Sequence, residues 1–307
     1  MEKVRPAFLA RWGAFTAERF PPLSHLTMGT AFFAGNTAAA IVLAGARPRA
    51  VATACAVMVT LRIFFRLRVF DEIKDSKTDR SVHPDRPLAR GLISPAEAKR
   101  VAFLVALVEM ILALVCGLPA FVAWMAVFAF SLLMFREFFV GQWLRPKMEL
   151  YALTHTLVAG WMGLFVAAAI SDLPLWRLPR GLWGIALANW AVFNVFEFAR
   201  KTWAPEEETA GVESYSNRLG RAGAALLTMG QVAVAAAAGY LLLSESALPR
   251  AALWSAIAML VITGAASLLF LCNPRRGTAR LFRGTMAFFI IGYYLALVGC
   301  ILGGRSG

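Results

Sequence analysis

Charge is scarce in this chain. Charged residues fill 16% of its 307 positions, against about a quarter in an ordinary soluble domain. With 59% hydrophobic residues and a mean hydropathy of +0.65, that shortage excludes a solvated globule. Cysteine is sparse as well. Cys55, Cys116, Cys272 and Cys300 all fall in apolar stretches, with no CxxC or other ligand spacing. They read as small buried hydrophobes and say nothing about redox compartment. Acidic residues are outnumbered, 18 to 31, leaving a net charge of +13. In a soluble protein that excess would suggest nucleic acid. Here the basic residues sit between apolar blocks, where they set topology and meet anionic lipid headgroups, so no nucleic-acid partner is expected. The N-terminal stretch scatters its charges too evenly for a cleaved signal peptide, so the first apolar block is expected to remain as an anchor.

What the chain has in abundance is apolar blocks of about 20 residues, the length that crosses a hydrocarbon core roughly 30 Å thick as a helix. Nine are expected, near 25–46, 48–68, 97–118, 119–138, 149–170, 181–200, 222–243, 247–271 and 283–303. The implied fold class is all-α, a polytopic bundle of nine transmembrane helices within a single domain over 1–307. Ala46–Arg49 and Gly117–Pro119 are tight turns, so spans 1–2 and 3–4 should form hairpins. With the N-terminus placed in the cytosol, all but six of the 31 basic residues face inward. The six are Arg47, Arg49, Arg177, Arg180, Arg250 and Arg305. That bias orients the array and sends the C-terminus outside. The longest polar loops, 69–96 and 201–221, then lie in the cytosol, and chemistry is expected there, over a central cavity.

The first of these loops carries Asp71, Glu72, Asp75 and Asp79. On a helix each step of four residues turns only about 40°, so the three aspartates line one face, and Glu72 is expected to join it. Like charges so placed repel. A divalent cation would offset the repulsion, and Mg²⁺ favours one or two carboxylates completed by substrate phosphates. The plainer alternative is an acidic juxtamembrane helix that only solubilises the loop. Downstream, Arg86 and Arg90 have forks suited to phosphate oxygens, or serve only as inside anchors. His83 reads as an ordinary loop residue.

Span 6 ends in a second polar patch. Asn194, Glu197 and Lys201 share a helix face, and the following loop holds Glu206, Glu207 and Glu208. Polar groups this deep are costly unless they face a bundle interior or a wet cavity. Glu109, His155, Asn189 and Gln231 are embedded too. Glu109, His155 and Asn194 are candidates for contact with an acceptor or cavity, or for bonds to neighbouring helices.

These residues are similar in spacing to the UbiA superfamily of intramembrane prenyltransferases. Its first motif, N-D-x-x-D-x-x-x-D followed by R-P-L, resembles Asp71-Glu72-x-x-Asp75-x-x-x-Asp79 followed by Arg86-Pro87-Leu88. Nine spans, acidic loops after spans 2 and 6, and Gly211-Val212-Glu213-Ser214 also resemble the family. Two elements depart from it. The second motif is glutamate-rich with Glu197-x-x-x-Lys201, and the family's Tyr-x-x-x-Lys finds only Trp143-x-x-x-Lys147. The resemblance implies Mg²⁺ held by Asp71, Glu72, Asp75 and Asp79, with Glu197 and Glu207 as further metal ligands. It implies Asp71, Asp75 and Asp79 as catalytic. It places the diphosphate of an isoprenyl substrate on Arg86, Lys147, Arg200 and Lys201. The prenyl group would pass to an aromatic or lipid acceptor within the membrane.

Two other functions fit the same features. An intramembrane terpene cyclase would use the same ionisation without an external acceptor. A cation or small-molecule transporter would place its ionisable residues nearer the midplane than this chain does. The D-G-x-x-A-R opening of CDP-alcohol phosphotransferases is absent.

Overall fold

The computed structural model describes residues 7–243 and 249–303, and among these it contains helices and no strand. The helices are α1 (Phe8–Arg19), α2 (Pro22–Leu43), α3 (Ala50–Val82), α4 (Pro95–Cys116), α5 (Leu118–Phe135), α6 (Gly141–Leu144), α7 (Met148–Thr156), α8 (Val158–Ser171), α9 (Arg180–Arg200), α10 (Tyr215–Leu243), α11 (Pro249–Cys272) and α12 (Arg276–Gly303). Short 3₁₀ turns lie at Glu137–Phe139, Leu175–Arg177 and Pro205–Glu207.

The protein is an all-α, multi-pass membrane protein. Eight helices among the described residues are long and apolar enough to cross a bilayer, with α7 and α8 counted as one span. The ninth expected span corresponds to α4. It has 22 residues but carries Glu97, Lys99, Arg100 and Glu109, more charge than the other spans hold in their apolar stretches. Helices adjacent in sequence pack side by side from α2 round to α12, with α5 against α8, and α12 returns to α2. The result is a closed ring, with α2, α8 and α9 also touching across it.

Local sequence sets the ends. Gly117 adopts φ +127° between α4 and α5, a conformation that suits glycine, and the expected hairpin forms there. Pro95 and Ser94 start α4, with the Ser94 hydroxyl accepting from the Glu97 amide at 3.2 Å. The span expected at 222–243 begins earlier, at Tyr215, with a kink at Gly220. The cysteines divide. Cys116 is buried and Cys55 half-buried, but Cys272 is exposed at the end of α11, contrary to expectation. The Cys300 side chain lies outside the described residues.

Polar groups inside the ring are knotted together. Arg66 of α3 donates from Nε to both oxygens of Glu109 at 3.0 Å and from Nη1 to Ser131 at 2.7 Å. Trp124 also donates to Glu109, at 3.1 Å, and the guanidinium lies between the rings of Phe70 and Phe128. Asn189 donates to Asn36 and accepts from Tyr294, each at 2.8 Å. Asn194 accepts from Thr156 at 2.6 Å and donates to Gln231. The embedded polar residues are thus paired across helices, as a low-dielectric interior requires.

Candidate active site

The site is built on the projecting end of α3. This helix has 33 residues, about 50 Å at 1.5 Å per residue, against roughly 30 Å of hydrocarbon. No glycine or proline interrupts residues 50–82. The helix therefore runs past the expected end at 68 and carries the whole acidic motif out of the bundle. It stops at Val82, because Pro84 disfavours helical geometry at His83.

Asp71, Asp75 and Asp79 follow one another along a single face. Asp71 is half exposed, and its nearest cation is Lys74 at 3.8 Å. Asp79 is buried. Its Oδ1 accepts from Arg86 at 2.7 Å, and its Oδ2 has no hydrogen-bond partner. Burial, together with Asp71 and Asp79, pushes the Asp75 carboxyl above its ordinary value. Glu72 does not join this face. It is buried against α1, where it accepts a hydrogen bond from Arg19. α1 also holds the neighbouring segments, through Trp12 to Glu97 at 3.0 Å and Glu18 to Arg90 at 2.7 Å.

The end of α9 lies within electrostatic reach of two of these carboxylates, Asp71 and Asp75. Glu197 holds Arg200 through two hydrogen bonds of 2.6 and 2.7 Å. Glu197 thus pairs with the residue three positions on, and not with Lys201, four positions on along the same face. Arg200 lies within electrostatic reach of Asp71, and Lys201 of Asp75. Burial and the adjacent Arg200 push the Lys201 ammonium below its ordinary value. The glutamates of the following loop turn away from the mouth. Glu207 takes Arg283 of α12 at 2.7 and 2.8 Å and caps the Ala204 amide. Glu208 accepts from Ser214 and Ser216 at 2.7 Å. Arg283 holds the Glu207 carboxyl below its usual range.

Between the two walls stands α7. Lys74 donates to Tyr151 at 2.6 Å, and Tyr151 stacks on His155 with centroids 3.9 Å apart. His155 Nδ1 lies 2.8 Å from the Tyr151 carbonyl, and its Nε2 has no partner. Lys147 sits over the Trp143 ring at 3.3 Å. Beside His155, Phe138 belongs to three consecutive residues with positive φ, Glu137, Phe138 and Phe139. The turn is held by Glu137 accepting from Arg145 at 2.7 Å. The sequence reasoning did not single out Lys74 or Tyr151. The signal that could have found Lys74 is its spacing of three from Asp71, a contact spacing on a helix. Directly beneath the mouth are Phe64, two turns along α3 from Asp71, and Phe193, one turn along α9 from Glu197. Their rings stack at 5.8 Å, with Phe32 edge-on to both.

A divalent cation fits this donor set on α3 alone. No three Asp, Glu, His or Cys side chains among the described residues already converge on one point. One or two carboxylates with phosphate oxygens and water suffice for a hard cation, and the free oxygens of Asp71, Asp75 and Asp79 offer that. Glu72, Glu197 and Glu207 are each committed to an arginine.

The ring of membrane helices thus carries carboxylates and cations at one end, above an aromatic interior. The chain belongs to the UbiA prenyltransferase family, whose model matches residues 27–292. It is similar to a structure described as digeranylgeranylglyceryl phosphate synthase in membranes, at 18% identity and a TM-score of 0.59, over 92% of this chain and 98% of the other. It is also similar to the apo structure of a UbiA homolog from Aeropyrum pernix K1, at 16% identity and a TM-score of 0.61, over 87% and 96%. No curated protein matches the sequence. At these identities the two structures share the fold. Family membership makes the protein a prenyltransferase acting within the membrane, with an isoprenyl diphosphate and a hydrophobic acceptor as its substrate classes.

Proposed function

We propose that this chain transfers a prenyl group from an isoprenyl diphosphate to an aromatic or lipid acceptor in a Mg²⁺-dependent reaction, with 1–307 acting as one unit. What supports the reading is that Asp71 and Asp75 on α3 lie within electrostatic reach of Arg200 and Lys201 on α9, above the Phe64–Phe193 stack. Asp71, Asp75 and Asp79 would hold the metal, which when bound neutralises charge on the diphosphate oxygens. Lys201, Arg200 and the Lys74–Tyr151 pair bind the remaining oxygens. So held, the allylic C–O bond breaks and its electron pair leaves on the diphosphate. The Phe64, Phe193 and Phe32 faces lie where the positive charge on carbon develops. The acceptor nucleophile then bonds to that carbon and gives up its proton. Burial beneath the mouth keeps water from competing.

Incubation of purified protein with labelled geranyl, farnesyl and geranylgeranyl diphosphates, Mg²⁺ and a panel of aromatic and lipid acceptors tests this. The expected product contains both prenyl group and acceptor. A cyclic hydrocarbon or alcohol formed equally well without acceptor would identify a cyclase instead.

The charge bias of the sequence supports a mouth, N-terminus and loop 201–221 in the cytosol, with the C-terminus outside. A reporter active only in the cytosol should stay silent when fused at Gly307; a signal there would invert the assignment.

A further inference from the structure

The carboxylates around the mouth divide unequally. Glu72, Glu137, Glu197 and Glu207 each bind an arginine, and Glu208 accepts from two serines. Those left without an arginine or hydroxyl partner are Asp71 and Asp75 on α3 and the exposed Glu213 after α9; Asp79, held by Arg86, and Glu72, held by Arg19, each keep one buried oxygen without a partner. The Asp79 oxygen is a separate sign of a missing ligand. It belongs to a side chain only 6% exposed, and it has no hydrogen-bond donor. A buried anionic oxygen without a partner costs free energy unless something electropositive completes it.

The opposite wall shows the reverse imbalance. Lys201 ends α9 within reach of the Asp75 charge, yet it makes no ion pair among the described residues. Arg200 beside it is already neutralised by Glu197. One wall of the mouth thus lacks a cation, and the other presents an ammonium that lacks an anion. A diphosphate bridging them satisfies both walls with a single metal ion.

We infer that the mouth takes one divalent cation per diphosphate, on the α3 face, and that the fixed ammonium of Lys201 on α9 stands where a second cation would otherwise meet the far phosphate. This rests on the reading of the mouth as a diphosphate site and adds its metal stoichiometry. The physical reason is coordination. A second hard cation needs anionic oxygens on the α9 side; Glu197 and Glu207 would first have to release Arg200 and Arg283, and the exposed Glu213, which has no ion pair among the described residues, already lies in the field of Lys201. A compact ammonium supplies positive charge there without any ligands.

The test is Mn²⁺ binding to the full-length protein in nanodiscs of zwitterionic phosphatidylcholine. Free Mn²⁺ is read by its EPR signal, with and without inorganic diphosphate. The expected result is one diphosphate-dependent Mn²⁺ per chain, with no Mn–Mn coupling. Lys201→Met should keep that single ion but weaken diphosphate binding about ten-fold or more, the size expected for losing a hydrogen bond to a charged group. Two coupled ions in the unmodified protein would overturn the inference and leave the diphosphate site standing. Unchanged diphosphate affinity in Lys201→Met would overturn the role of Lys201. Absence of any diphosphate-dependent Mn²⁺ would overturn the diphosphate site, and the inference with it.

Discussion

Replacing Asp75 by alanine is expected to lower kcat/KM about a thousand-fold, or ~4 kcal/mol of transition-state stabilisation, while leaving the protein folded. Asp75 is the central carboxylate of the α3 face, half-buried between Asp71 and Asp79. Its removal relieves repulsion, so thermal stability should be unchanged or higher. Glu72→Ala provides the contrast. Glu72 is buried against Arg19, so its loss should loosen α1 and lower the melting temperature, with the smaller effect on turnover. Steady-state kinetics and a melting curve on the two variants separate the roles. Asp75→Ala activity within about ten-fold of the unmodified protein, a difference of only ~1.4 kcal/mol, would remove Asp75 from the site.

The second large effect is on stability. Arg66 and Glu109 are fully buried within the bundle, and their partners come from α3, α4 and α5. Glu109→Ala leaves the Arg66 guanidinium without its counter-ion, at a cost of roughly 3–5 kcal/mol. The melting temperature in detergent should fall by on the order of 10 °C. Replacing both residues by methionine should recover most of that loss, because a volume-matched apolar pair carries no desolvation penalty. An unaltered melting temperature in Glu109→Ala would mean that the pair does not anchor α3. The pair matters to the site because Arg66 lies five residues before Asp71, on the helix that carries Asp71, Asp75 and Asp79.

The membrane bundle was legible in the sequence because each crossing needs a continuous apolar block, and such blocks survive local exceptions. Gly117 marked a hairpin because few other residues tolerate its backbone geometry. The spacing of Asp71, Asp75 and Asp79 placed them on one face because helical periodicity is local. What the sequence concealed was partner choice across large separations. Glu72 meets Arg19 from 53 residues away, Lys74 meets Tyr151 from 77, and Glu207 meets Arg283 from 76. Nothing periodic in the chain encodes these meetings; they follow from the closing of the ring. Even the short-range exchange of Lys201 for Arg200 as partner of Glu197 depends on side-chain reach at a helix end, where spacings of three and four both permit contact. The glutamates after span 6 looked equivalent to the α3 aspartates because both are acidic and follow apolar spans. In the structure one set faces the mouth and the other pins a loop to α12.

The central claim is divalent-metal-dependent cleavage of a prenyl diphosphate at the α3–α9 mouth, and release of diphosphate by the purified full-length protein measures it most directly. With geranylgeranyl diphosphate and an acceptor extract, the account predicts diphosphate release that EDTA stops, excess Mg²⁺ restores, and Asp75→Ala abolishes. Prenyl diphosphate left intact at every chain length tested, with Mg²⁺ present and the unmodified protein folded, would contradict it.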